Sequence, residues 1–158
     1  MIKFTSFSSE DFAEYTQRAV RGYAEEKVRA GNWEAETALR QAEQEFKTLL
    51  PYGLETNENY FCWILANIES GEHKVGNIWY ASSQSNRDDI FIWDFEIFED
   101  FRRRGYASEA LVALEEKCRE LGKHSISLHV FGDNRAARKL YEKVGFKETN
   151  VMMTKKLS

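Results

Sequence analysis

The sequence contains few prolines, which interrupt helices and strands, and few cysteines, which can crosslink a chain. Its 158 residues include one proline, Pro51, and two cysteines, Cys62 and Cys118. A single proline without low-complexity runs argues against a disordered chain. The cysteines stand far apart and form no C-x-x-C pair, so they predict no disulfide framework. Both lie in apolar segments, and we expect buried free thiols in a reducing, cytoplasmic setting.

Long hydrophobic runs and an excess of positive charge are also missing. No apolar stretch approaches the roughly 20 residues needed to span a bilayer. The opening residues, MIKFTSFSSE, lack the apolar segment and the cleavage pattern of a signal peptide. The formal net charge is −4, which argues against a general nucleic-acid binder. We therefore expect a soluble protein without a nucleic-acid or membrane partner.

Helix and strand patterns fill the chain with no linker and no internal repeat, which predicts one domain over residues 1–158. Strand patterns cover residues 2–7, 60–69, 75–82, 90–97, 125–130 and, as one or two closing strands, 147–156. Helix patterns cover residues 10–30, 33–50, 108–121 and 135–144. The order β-α-α-β-β-β-α-β-α-β predicts an α+β, or mixed α/β, domain.

An arginine-rich loop, FRRRGYASEA, joins the strand at 90–97 to the helix at 108–121. The backbone N–H groups that open a helix carry the positive end of its dipole and bind anions. Gly105 lets the backbone approach a ligand closely, and the preceding arginines can donate to phosphate oxygens. The pattern is neither a Walker A loop nor a G-x-G-x-x-G loop. Alone, it predicts either a site for a small anion or a solvated basic loop.

Two motifs together resemble the GNAT superfamily, the Gcn5-related N-acetyltransferases. The loop Arg102-x-x-Gly105-x-Ala107 is similar to the pyrophosphate loop of that family. The segment SLHVFGDNRAARKLYEKVGF, residues 127–146, is similar to its second signature, and the two occur in family order. The resemblance covers residues 60–156 well, and the N-terminal half looks like that of a small bacterial branch. It implies a single-domain GNAT fold with a central, mostly antiparallel sheet flanked by helices.

The resemblance implies that the anion is the pyrophosphate of acetyl-CoA, which serves as the acetyl donor. It implies cofactor contacts from Ile97, Phe98, Arg102, Arg103, Arg104, Gly105, Tyr106, Ala107, Ser108 and Asn134. Arg103 and Arg104 exceed the minimal motif, and both the 3′-phosphate of CoA and plain solvent remain open as their surroundings. Asn134 is equally well explained as a helix N-cap, for which Asp133 is the rival.

Acetyl transfer to an amine needs a neutral nucleophile, an oxyanion donor and a proton for the departing thiolate. In the GNAT family the tyrosine of the Leu-Tyr-Glu signature supplies that proton; here it is Tyr141, unless it merely packs on the sheet. Glu96 shares a strand face with Asp94 and is the first candidate for the base, with a plain polar face as the alternative. His129 is the competing base or a packing residue. No residues have metal-ligand spacing.

The leading interpretation is an acetyl-CoA-dependent N-acetyltransferase that moves the acetyl group to a primary amine within a ternary complex. A non-catalytic acyl-CoA binder or sensor would keep the arginine loop without a working acid. A nucleic-acid or phosphoprotein-binding module fits poorly with the acidic net charge. The sequence leaves open which small-molecule or peptide amine is the acceptor and how long the acyl chain is. A homodimer is an expectation from family habit alone.

Overall fold

The computed structural model describes all residues from Met1 to Ser158. Five strands and four α-helices make up the fold. They are β1 (Ile2–Ser6), α1 (Ser9–Arg29), α2 (Ala35–Leu49), β2 (Asn59–Ile68), β3 (Gly71–Ser82), β4 (Asp89–Ile97), α3 (Tyr106–Glu120), β5 (Ser125–Leu128) and α4 (Arg135–Lys143). Short 3-10 turns lie at Gly53–Glu55 and Glu99–Phe101.

The predicted fold class is confirmed, and so is the element order as far as α4. The prediction of closing strands over residues 147–156 is wrong, because no helix or strand follows Val144. Three apolar residues, Val151, Met152 and Met153, stand in a row there, and each is at least 63% exposed. Consecutive apolar residues point to opposite faces of a strand, so a single buried face cannot collect them. The strand predicted at 125–130 also ends earlier, at Leu128.

The sheet has the order β1-β2-β3-β4-β5, and only the β4–β5 pair is parallel. A tight turn between β2 and β3 makes an antiparallel hairpin, whereas β4 and β5 are joined through α3 and therefore run in the same direction. The parallel ladder is short, since it joins residues 89–92 to residues 125–128. Beyond Ile92, β4 has no strand partner on that side. This opening between β4 and β5 is called the slot below.

Helices cover both faces of the sheet. On one face, α3 contributes Ala110, Leu111, Leu114 and Cys118 to the main core, and α4 packs against the same cluster. On the other face, α1 packs Tyr15 against a second cluster of aromatic residues from β2 and β3. The sheet therefore separates a face covered by α3 and α4 from a face covered by α1 and α2, and the slot is an opening between these two faces.

A β-bulge interrupts the pairing of β3 with β4. Trp79 pairs with Asp94 and Tyr80 pairs with Ile92, so Trp93 is an extra residue. The Trp93 indole stacks on Trp79 with ring centroids 5.5 Å apart. Asp94 accepts a hydrogen bond from Tyr15 of α1. Two consecutive side chains thus lie on the α1 face of β4, as a bulge allows.

Gly76 of β3 lies where the two strands approach most closely. It pairs with Ile97 at the end of β4. A Cβ atom on Gly76 would lie 2.0 Å from the Glu96 carbonyl oxygen and 3.1 Å from the Ile97 Cα. No side chain fits in that space. Because position 76 carries no side chain, the end of β4 can approach β3 this closely, and this close contact positions that end beside the slot.

Candidate active site

The loop between β4 and α3 has the backbone shape of an anion cradle. Gly105 has φ 86° and Arg103 has φ 62°, both in the left-handed region. The intrahelical bonds of α3 begin with Glu109, whose N–H donates to the Gly105 carbonyl. The N–H groups of residues 106–108 consequently have no partner within the chain. Free N–H groups at the start of a 15-residue helix form a site for negative charge.

Arg102 is folded back onto β4. Its Nε donates to the Ile97 carbonyl at 2.8 Å, and its Nη2 lies 3.8 Å from Glu96 Oε1. Arg103 and Arg104 are exposed, and the Arg104 guanidinium lies over the Phe101 ring. Arg102 thus braces the strand end, while the backbone N–H groups of the loop stay free to donate.

Tyr141 projects from α4 into the main core beside the slot. Its ring packs edge-on against Phe146, with centroids 5.6 Å apart. Burial, and to a lesser degree the negative charge of Asp94, raise the pKa of Tyr141 to about 12. The phenol therefore keeps its proton at neutral pH and can act as a hydrogen-bond or proton donor.

Asn134 is the N-cap of α4. Its side-chain oxygen accepts from the Ala137 N–H at 3.2 Å. The rival residue, Asp133, instead forms an ion pair with Arg29 at the end of α1, at 3.2 Å. The capping role predicted for Asn134 is confirmed, and a contact with the cofactor stays a prediction.

Two carboxylates of β4 lie on the α1 face. The Oδ2 atom of Asp94 accepts from the Tyr15 hydroxyl at 2.7 Å and from the Asn77 side-chain amide at 3.2 Å. Burial raises the pKa of Asp94 above its usual range. Burial and the charge of Asp94 likewise raise the pKa of Glu96, against the opposing effect of Arg18 and Arg102. Raised pKa values suit groups that exchange protons near neutral pH.

His129 lies beyond the end of β5, so its predicted position within the strand is wrong. Its ring packs edge-on against Phe131 at 5.0 Å. Burial, followed by the nearby charge of Lys27, lowers its pKa. With Tyr141 it lines a cavity of about 820 Å³ between β5, α4 and the C-terminal segment. These contacts involve no residue of β4, so nothing here brings His129 to the carboxylates.

The sequence profile described as the acetyltransferase (GNAT) family matches residues 23–146. The chain belongs to the GNAT acetyltransferase family. It is an N-acetyltransferase of that family, and membership implies an acyl-CoA donor.

Two relatives from Bacillus subtilis (strain 168) match this GNAT chain over nearly its whole length. The uncharacterised N-acetyltransferase YycN is 43% identical over 157 residues, which is 99% of either chain. The uncharacterised N-acetyltransferase YdgE is 34% identical over 151 residues, covering 95% of this chain and 94% of its own. The crystal structure of YycN matches with a TM-score of 0.91 and 41% identity, over 100% of this chain and 99% of that one.

The GNAT fold brings most of the predicted site residues to one place. The loop residues 102–108 adjoin Ile97 and Phe98 at the open end of the slot, and Tyr141 and Glu96 lie on either side of it. Sequence reasoning missed Tyr15 and Asn77. Each is a polar group inside an apolar pattern, and such a group needs a buried partner. That signal was available, although the identity of the partner was not.

None of the helices combines the length and apolar character that a membrane crossing requires. No three His, Cys, Asp or Glu side chains are grouped in a way that would hold a metal ion.

Proposed function

We propose that this GNAT protein transfers an acetyl group from acetyl-CoA to a primary amine, by direct attack within a ternary complex. The observation that carries the proposal is the set of free N–H groups at residues 106–108, which open at the mouth of the slot. A proton donor, Tyr141, and a pair of carboxylates flank the same slot from opposite faces of the sheet. A non-catalytic acyl-CoA binder would need the arginine loop, but it would need neither Tyr141 nor the carboxylates.

The donor half of the proposed site follows from the loop and from the free edge of β4. The pyrophosphate of acetyl-CoA would accept from the N–H groups at the start of α3, with Gly105 allowing close approach. The pantetheine arm would pair with residues 93–97, which have no strand partner on the slot side. The thioester would then lie near Ile97, where a backbone N–H would stabilise the developing oxyanion.

The chemistry then needs no covalent intermediate on the protein. A neutral amine attacks the thioester carbon, the C–S bond breaks as the C–N bond forms, and the nitrogen gives up its surplus proton to a base. Tyr141 gives a proton to the departing CoA thiolate, as its high pKa permits. Glu96, which shares the α1 face with Asp94, would be the first candidate for that base, and its raised pKa suits the role.

Calorimetric titration with acetyl-CoA tests the donor site, with CoA and dephospho-CoA as comparison ligands. We expect Gly105→Asp to weaken acetyl-CoA binding at least about tenfold, because it adds negative charge to the helix start that receives the anion. Gly122→Asp is the matched control. Both glycines have positive φ and open space around the missing Cβ, but Gly122 follows the other end of α3.

Two results would contradict the donor site. One is the same affinity for acetyl-CoA in the folded Gly105→Asp and Gly122→Asp variants. The other is an absence of binding to the wild-type protein at millimolar ligand. Acetyl-CoA binding without thiol release from any primary amine would instead favour the non-catalytic binder.

The thiol-release assay itself should be free of background from the protein. Cys62 and Cys118 are both buried. Burial raises the pKa of Cys62 to about 11 and also raises the pKa of Cys118. Thiolate is the reactive form, so we expect neither thiol to react with dithiobis(nitrobenzoic acid) in the native protein. Both should react after unfolding in guanidinium chloride, and a fast native reaction would show that one of them is accessible.

A further inference from the structure

A stack of aromatic rings crosses the α1 face of the sheet and ends at Trp93. The Phe61 ring of β2 stacks on Trp79 of β3, with centroids 5.1 Å apart and planes inclined by 25°. Trp79 stacks in turn on Trp93 of β4, at 5.5 Å and 24°. The stack therefore advances by one strand with each ring, in the order β2, β3, β4. The next position in this series lies on the β5 side of Trp93.

The β5 side of Trp93 holds no strand. The parallel ladder ends with the pair Ile92 and Leu128, so Trp93 is the first residue of β4 beside the slot. One step further in that register would bring His129 opposite Trp93. However, β5 ends at Leu128, and the His129 ring packs against Phe131 instead. No ring from β5 therefore continues the stack.

Trp93 is far more exposed than the two rings behind it. Phe61 is 3% exposed and Trp79 is 2% exposed, whereas Trp93 is 37% exposed. The Trp79 indole is held in place, because its Nε1 donates to Asn59 Oδ1 at 2.9 Å. Phe91 meets Trp93 at 61°, with centroids 4.7 Å apart. Trp93 is thus supported by fixed neighbours and keeps free aromatic surface beside an opening, as is typical of a ligand site.

The free surface of Trp93 lies where an acceptor would approach the proposed donor. Residues 93–97 form the free edge that we propose for the pantetheine arm, so the arm would run beside Trp93. Tyr141, the proposed acid, belongs to the core under α3 and α4, whereas Trp93 belongs to the α1 face. Because packed core fills the first of these faces, an acceptor that enters over the α1 face would contact the indole.

We infer that Trp93 is a specificity-determining residue, and that its indole receives a planar ring of the acceptor as the fourth member of the stack. The assignment rests on the proposed acetyl transfer and gives that reaction a substrate class: primary amines that carry an aromatic ring on a short carbon linker. Aromatic stacking places the centroid of the acceptor ring roughly 5 Å from that of Trp93. The amine then projects toward the thioester along β4.

Two amines of the same charge test the role of the indole. Benzylamine has a planar ring, and cyclohexylmethylamine has a puckered ring of nearly the same size. With acetyl-CoA, the acetyl group passes from sulfur to the amine nitrogen, which yields the amide, the free CoA thiol and one proton. We expect kcat/KM for benzylamine to exceed that for cyclohexylmethylamine about fivefold, because only the flat ring stacks. We expect 1,4-diaminobutane, which has a second charge and no ring, to be poorer than both.

Substitution of Trp93 should remove this preference. Trp93→Leu keeps an apolar side chain without a flat surface, so we expect the ratio of the two kcat/KM values to fall to about one. Trp93→Phe keeps a ring and should retain most of the ratio. Tyr60→Leu is the matched control and should keep the wild-type ratio. Tyr60 is 38% exposed and stacks on a buried ring of β3, Tyr80, at 5.0 Å, but on the face covered by α3 and α4.

Fluorine NMR of protein labelled with 5-fluorotryptophan follows binding of the ring without turnover. CoA replaces acetyl-CoA in this experiment, so no acetyl group is transferred. We expect benzylamine to shift the Trp93 signal most, and cyclohexylmethylamine to shift it less. Single tryptophan-to-phenylalanine variants assign the signals of the four tryptophans, which are Trp33, Trp63, Trp79 and Trp93.

Three results would overturn the inference. The first is a ratio of kcat/KM values that is the same in Trp93→Leu and wild type, and the second is a preference for 1,4-diaminobutane. The third is a Trp93 signal that responds to protein concentration and not to benzylamine, because a second copy of the chain would then cover the indole. If the protein binds acetyl-CoA yet acetylates none of the amines, the proposed function fails, and the Trp93 signal alone decides whether the indole receives a ring.

Discussion

Tyr141→Phe will lower kcat about 100-fold or more and leave acetyl-CoA affinity within about twofold. Phenylalanine keeps the edge-on packing against Phe146 and the contact with the core, and it loses only the proton that the thiolate needs. Thiol release gives kcat, and calorimetry gives the affinity. Tyr60→Phe is the control, because Tyr60 lies on β2 and is 38% exposed. Equal losses of turnover and affinity would show that Tyr141 is a packing residue rather than the acid.

The same residue predicts the shape of the alkaline limb. The active form of Tyr141 is the protonated one, and its pKa of about 12 keeps it protonated well past neutral pH. Ionisation of Tyr141 should therefore cause no fall in kcat below about pH 10. Turnover measured from pH 7 to pH 10 checks this. A fall in that range that is absent from Tyr141→Phe would mean that the phenol is far more acidic than its burial implies.

Gly76→Ala will destabilise the fold by about 3 kcal/mol or more, which is a fall in Tm of about 6 °C or more for a chain of this length. The new methyl group would lie 2.0 Å from a backbone oxygen of β4, and neither strand can yield by rotating a side chain. Thermal unfolding followed by circular dichroism measures the change. Because the strand end that moves is the one beside the slot, acetyl-CoA binding should weaken in the same variant.

Gly22→Ala provides the contrast for this experiment. Gly22 lies within α1, and nothing stands within 4 Å of its missing Cβ. Alanine there should stabilise the protein by about 0.5–1 kcal/mol, because it favours the helix. A Gly76→Ala variant as stable as the wild type would show that β3 and β4 can separate without cost.

The parts of this protein that follow from sequence are those whose signals are local. Each of these signals lies within a short stretch of sequence: the periodic apolar residues of α1 to α4, the β2–β3 hairpin, and the glycine at the start of α3. The contact of Tyr15 with Asp94 spans 79 residues, and no local pattern announces it. The prediction of closing strands over residues 147–156 was wrong for a different reason, which is local. Val151 and two threonines favour a strand there, but the apolar residues do not alternate.

The extra residue in β4, Trp93, was also not predicted from the sequence, because a bulge is defined only by the pairing with a partner strand. The strand IFIWDFEI shows no glycine or other sign of irregularity. Register is a property of the pair β3 and β4, and the shift lies between Trp79 and Tyr80 on the opposite strand. The grouping of Asp94 and Glu96 on one face was nevertheless predicted, since both follow the shift.

The extra residue, Trp93, shifts the alternation of side chains between the two faces of β4 by one position. Ile90, Ile92, Asp94 and Glu96 are all even-numbered, and in an unbroken strand they would share a face. Instead the isoleucines pack in the core under α3, while the carboxylates face α1. Deleting Trp93 would restore a regular ladder and leave these side chains on their present faces, because Asp94 would then follow Ile92 in normal alternation. Keeping Trp93 in an unbroken ladder would instead turn both carboxylates into the apolar core and bring Phe95 and Ile97 out. The bulge at Trp93 thus keeps an apolar face toward α3 along the whole strand and both carboxylates on the α1 face, although the sequence numbers change parity between Ile92 and Phe95.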